Sequence, residues 1–144
     1  MKKLFFMGLA TFALTTASLT SCSKYEEGPN LALSSKTSRL TGSWLLTAQT
    51  TNGAADQLTG LTQTMNIAKD GTYSVSINYS YMGFTYTNDL SGTWAFSDDK
   101  TQLITTIDGQ TGTETNTIVR LASKELKIKS VNGTETVIQT FTAQ

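Results

Sequence analysis

From Leu40 to the end of the chain, apolar and polar residues alternate with a period of two, and short turn signals break the alternation roughly every ten to sixteen residues. A period of two belongs to β-strands, whose successive side chains point to opposite faces. The breaks are Asp70-Gly71, Met82-Gly83, Asp98-Asp99, Asp108-Gly109, Ser123-Lys124 and Asn132-Gly133. Asp-Gly and Asn-Gly between alternating runs are strong local hairpin signals. They divide the chain into eight predicted strands, at about 40–50, 61–68, 72–80, 84–97, 101–108, 113–121, 124–130 and 134–142. The pattern is sharpest where Tyr73, Val75, Ile77 and Tyr79 share one face against Thr72, Ser74, Ser76 and Asn78. Next, Phe84, Tyr86, Leu90, Trp94 and Phe96 share a face against Thr85, Thr87, Asp89, Ser91 and Thr93. Apolar parity flips across Tyr81-Met82-Gly83, as a tight turn there requires. Gly92 is a candidate bend in this long strand.

One apolar face per strand, repeated eight times with short links, needs a sheet that closes on itself. The expected fold is therefore all-β, an eight-stranded antiparallel up-and-down barrel, which removes exposed sheet edges. Eight strands leave an interior just wide enough for side chains or one small ligand. The 27 threonines suit the solvated outer face of such a sheet. Only the Thr51–Gly60 connection, between the first two strands, is long, and it is a candidate lid.

The segment before the barrel reads differently. Lys2 and Lys3 precede Leu4–Leu19, an uncharged run shorter than the roughly 20 apolar residues of a membrane span. It carries Thr11, Thr15, Thr16 and Ser18, and it fits a signal-peptide core. The run ends in Leu19-Thr20-Ser21-Cys22, which resembles the lipobox of bacterial lipoproteins. That resemblance implies a signal peptide at 1–21, diacylglyceryl transfer to the Cys22 sulfur and cleavage before it. Several acyl chains, each contributing about 0.8 kcal/mol per buried CH₂, anchor stably where one does not. The expected organisation is a signal at 1–21, a lipidated tether at 22–38 around Pro29, and a barrel domain at 39–144. Ser23 after the cysteine fits outer-membrane sorting. Glu26-Glu27 resembles the surface-export signals of Bacteroidetes-type lipoproteins, and a plain solvated tether explains the pair equally well.

Without its signal the chain carries nine basic and eleven acidic groups, which is no footprint for nucleic acid or an anionic surface. Histidine is absent, and Cys22 is the only cysteine. The sequence therefore offers no disulfide framework, no His/Cys metal cluster and no cofactor motif. The commonest general base is missing, and no nucleophile has a base beside it. No catalytic residue is assigned, and the chain is read as a non-enzyme.

Leu40-Thr41-Gly42-Ser43-Trp44, then Lys69-Asp70-Gly71-Thr72-Tyr73, Ser91-Gly92-Thr93-Trp94 and the Leu121–Leu126 segment follow in an order that resembles the lipocalin-like domains of small Bacteroidetes lipoproteins. The likeness covers about 39–142. It implies a lipocalin-like barrel and a basic residue packed over Trp44. The last strand, 134–142, has no Lys or Arg, which leaves Arg120 and Lys129 as candidates. Trp44 is expected to plug the barrel bottom. Trp44, Tyr73, Tyr79, Tyr86 and Trp94 are candidate ligand contacts, because aromatic rings offer broad faces, tipped in Tyr and Trp by a polar group. Simple core is the first reading of the same rings, and ligand contact the second. No fixed charge falls on the expected inner face, which favours a neutral or weakly polar ligand in a small cavity at one end. Two functions remain open: a lipid-anchored outer-membrane or surface protein binding a small apolar molecule, or a filled barrel meeting another envelope or extracellular protein. The oligomeric state is not legible.

Overall fold

The computed structural model describes residues 25–28 and 33–144. The signal peptide, Cys22, Ser23 and Pro29 lie outside the described residues. A five-residue helix, α1 (Lys36–Leu40), is capped at its start by the Ser35 hydroxyl, which accepts from the Ser38 N–H. Nine strands follow: β1 (Gly42–Thr51), β2 (Ala54–Ala55), β3 (Leu61–Ile67), β4 (Thr72–Tyr81), β5 (Phe84–Phe96), β6 (Gln102–Ile107), β7 (Glu114–Leu121), β8 (Glu125–Asn132) and β9 (Glu135–Ala143). Each of β3 to β8 pairs antiparallel with the next, and β1 pairs with both β3 and β9. Eight strands thus close into the expected barrel. The two-residue β2 is only a rung folded back on the end of β1.

The register carries the alternation across strands. Trp44 faces Met65, Met65 faces Val75, and Val75 faces Leu90. On the other side Leu126 faces Phe141, which faces Leu46. Apart from the half-buried Leu90, these inward residues form the core together with Ile67, Leu103 and Ile128. Two bulges change the pattern, between Leu46 and Ala48 in β1 and between Ile118 and Arg120 in β7. At the second, the inward set passes from Ile118, opposite Ile128, to Leu121, opposite Leu126. One extra residue reverses the parity.

One end of the barrel is closed. Trp44 is 1 % exposed, and its indole N–H donates to the Leu40 carbonyl at 2.8 Å, so α1 seats the plug. The described parts of the expected tether are not a free linker. Tyr25 is buried, and its hydroxyl donates to the Lys100 carbonyl at 2.9 Å in the β5–β6 turn. The Glu27 N–H donates to the Val119 carbonyl, beside the β7 bulge. Glu26 and Glu27 pair with Lys129 and Lys127 of β8 while both carboxylates stay exposed to solvent. Lys129 is therefore engaged outside the barrel. Arg120 is too, pairing with Glu125 and donating to the Glu27 carbonyl, so neither residue is free to cover Trp44.

The β4–β5 hairpin outruns its neighbours. β5 has 13 residues, but only Gly92–Phe96 pair with β6. From Phe84 to Leu90, β5 is bonded to β4 alone. Tyr79, Tyr81, Met82, Phe84 and Tyr86 are accordingly exposed near the hairpin tip. Their parity is that of the inner face, but no opposite wall stands there to bury them.

Candidate functional site

The barrel interior holds a cavity of about 580 Å³ toward the end opposite Trp44. Its lining is graded. Met65, Val75, Ile107, Ile128 and Phe141 give an apolar lower wall. One register step further along β3 and β9, Gln63 and Gln139 replace Met65 and Phe141. Asn116, Ser130 and Asn132 continue this polar belt. Gln139 donates to Gln49 across the β1–β9 pair at 2.9 Å, so part of the belt is locked in place. An apolar base under a polar collar suits a molecule with a hydrophobic body and a polar end.

Of the five aromatic residues singled out from sequence, only Tyr73 lines this cavity. Burial pushes its phenol up to about 12, with the Glu114 carboxylate adding to the shift. Tyr73 is thus a neutral hydroxyl at any physiological pH. Trp44 lies in the floor below the cavity, among the core side chains. Trp94 packs edge-on against Phe96, with ring centroids 5.5 Å apart, and donates to the Ala68 carbonyl at 2.7 Å. It braces the β3–β4 turn instead of facing the void. Tyr79 and Tyr86 are cross-strand partners on the overhanging hairpin, 46 % and 68 % exposed, and neither lines the cavity.

The expectation of an uncharged inner face is corrected by Glu114. It lines the cavity at the start of β7, opposite the inward Thr105 of β6. Among the lining residues it carries the only formal charge. The β7 bulge hides this in the sequence: Leu121 suggests odd inward parity, whereas before the bulge the inward residues are Glu114, Asn116 and Ile118. The Thr51–Gly60 connection contributes nothing to the lining either. Its Asp56 accepts from Gln49 at 2.8 Å and from Thr51 at 2.7 Å, and these bonds hold the Asp56 carboxyl below the usual carboxylate range. The loop is thereby tied back onto β1.

The profile of the lipocalin-like domain family matches residues 40–128, well over half of the chain. No curated protein matches significantly. Among solved structures, Japanin from Rhipicephalus appendiculatus, bound to cholesterol, is 8 % identical, with a TM-score of 0.52 over 76 % of this chain and 79 % of that one. Bovine odorant-binding protein in complex with undecanal is 15 % identical, with a TM-score of 0.48 over 79 % of this chain and 77 % of that one. The chain is an antiparallel barrel closed at one end by Trp44 and hollow toward the other. This chain belongs to the family of lipocalin-like domains.

Proposed function

We propose that this chain is an outer-membrane lipoprotein, anchored through Cys22, whose barrel takes a small apolar or amphipathic molecule into its open-ended cavity. The observation that carries the binding reading is the void itself. Protein interiors pack to crystal-like density, with few gaps larger than a water molecule. A cavity of about 580 Å³ falls within the roughly 300–1,000 Å³ of small-molecule sites. A barrel serving only as a filled interaction module has no need of it. The anchoring reading is supported by Lys2-Lys3, the uncharged Leu4–Leu19 run and the Leu19-Thr20-Ser21-Cys22 ending, with Ser23 favouring the outer membrane.

The binding reading is tested by titrating the full chain with N-phenyl-1-naphthylamine, a neutral hydrophobic fluorophore. Saturable binding to one site is expected. Ile77→Trp, which places a bulky ring on the cavity wall, should abolish it while the far-ultraviolet spectrum stays that of a β protein. Absence of saturable binding to the unsubstituted chain overturns the reading.

A further inference from the structure

We propose that the cavity selects molecules with an alkyl body and a cationic primary-ammonium head, the head lying between Glu114, Thr105 and Gln110. This rests on the binding reading above and specifies the ligand class of that site.

Three observations converge. First, Glu114 is the one charged residue among those lining the cavity, and no basic residue lines the cavity beside it. The ion pairs of the described residues engage Glu26, Glu27 and Glu125 on the outer surface and leave Glu114 aside. Second, Thr105 is 2 % exposed, and its hydroxyl has no hydrogen-bond partner among the described residues. A buried hydroxyl without a partner is costly. This one sits on the inward face of β6, directly across from Glu114 in the strand register. Third, a side recess of about 200 Å³, bounded by Thr105, Gln110 and Glu114, shares Ile107, Gln110 and Glu114 with the main cavity. The two spaces therefore adjoin, the larger able to house a chain and the smaller a compact head.

The chemistry of the head follows from the inventory. A primary ammonium has three N–H donors and no acceptor. The recess offers the Glu114 carboxylate and the Gln110 amide carbonyl, and its wall contains the buried, unpartnered Thr105 hydroxyl, a third acceptor that the head must reach by a small shift of its cover. A carboxylate head meets repulsion from Glu114, and an alcohol satisfies one or two of the three groups. A metal ion is a poor occupant, since hard cations want several oxygen ligands and only one carboxylate is present. Glu114 lines the main cavity together with Tyr73, whose phenol is raised chiefly by burial and secondarily by that carboxylate.

The test compares decylammonium, decanol and decanoate, matched in chain length, by isothermal titration of the full chain. Decylammonium should bind about tenfold more tightly than decanol, because charge-assisted bonds are the stronger ones while the exposed rim limits the gain. Decanoate should bind most weakly. Glu114→Gln should bring decylammonium to the decanol level and leave decanol unchanged, which also shows that the variant is folded. Thr105→Val, nearly isosteric, should weaken both decylammonium and decanol. If decanol binds and decylammonium shows no preference, or if the preference survives Glu114→Gln, the head-group inference falls and the binding reading stands. If none of the three binds, both fall.

Discussion

Trp44 and Phe84 hold equivalent positions in the sequence pattern, each an aromatic residue of inner-face parity, yet one is 1 % exposed and the other 81 %. Parity assigns a face; only the neighbouring strands decide whether that face is covered. Trp44→Ala should therefore cost about 3–5 kcal/mol, from lost burial and the cavity left under the barrel. Phe84→Ala should stay within about 0.5 kcal/mol, as exposed substitutions usually do. Denaturant unfolding of the two variants beside the parent checks both, and a large loss at Phe84 would mean that the hairpin tip is covered. Most of the inward set, Leu46, Met65, Ile67, Val75, Leu103, Leu126 and Phe141 among them, was legible from alternation alone. Tyr25 was not, because a single aromatic in a polar run carries no period. Glu114 was not, because its face depends on a bulge that leaves no composition signal. Tyr73 supplies a pH test. Below pH 10 its phenol is protonated in folded and unfolded chains alike. Between 10 and about 12 the unfolded chain gives up the proton while the folded one keeps it, so stability falls as pH rises. At about 1.4 kcal/mol per unit the total is roughly 2–3 kcal/mol. Tyr25 is shifted in the same direction, so the comparison must be made against Tyr73→Phe, whose alkaline loss should be smaller by about that amount.

At the scale of elements, β5 is where the barrel's shape is decided. Gly92 is buried at the point where β5 begins to pair with β6, with Tyr73 on one side and Ile107 on the other. A Cβ at this position would lie 1.9 Å from the Thr106 carbonyl oxygen. Backbone cannot yield as a flexible side chain does, so the close approach of β5 and β6 requires glycine here. Gly92→Ala should cost roughly 2–4 kcal/mol, the range of a severe local clash. A melting temperature within one or two degrees of the parent would show that β5 and β6 can separate without loss. The sequence marks Gly92 as a candidate bend; what the position holds is a close approach of β5 to the β6 backbone. The sequence does not show that β5 parts from the barrel wall before that residue, because the ladder to β6 ends where β6 itself ends, at Ile107. The turn dipeptides placed the eight long strands to within a few residues, since Asp-Gly and Asn-Gly act locally. The five-residue α1 is too short to show a helical period, and it is held by tertiary contacts such as Arg39 donating to the Leu121 carbonyl. The β2 rung was legible, though absent from the eight expected strands: Asn52-Gly53, both at positive φ, is itself an Asn-Gly hairpin turn that folds Ala54–Ala55 back on the end of β1.

On the scale of the whole molecule, the two ends of the barrel bear on how it would sit at a membrane. Tyr25 is fixed to the β5–β6 turn at the closed end. Cys22 is three residues earlier, at most about 10 Å of extended chain. A lipid on Cys22 would thus hold the Trp44 end toward the bilayer. The mouth lies at the far end of β8, whose eight residues span about 26 Å along the strand and roughly 20 Å along a tilted barrel axis. A ligand would then enter from the side facing away from the lipid, not directly out of the membrane. Lipidation comes first: cells fed an alkyne fatty acid should label the parent chain and not Cys22→Ala, and equal labelling would remove the anchor from the account. Orientation can then be measured cleanly, because Cys22 is the only native cysteine and a thioether would leave it unreactive. Val131→Cys at the mouth and Lys124→Cys in the β7–β8 turn at the closed end each give one labelling site. With a fluorophore on either, in vesicles carrying doxyl-labelled lipids, quenching should be strong at position 124 and weak at position 131. The reverse order, or equal quenching, would place the mouth at the membrane surface and make the bilayer the source of the ligand.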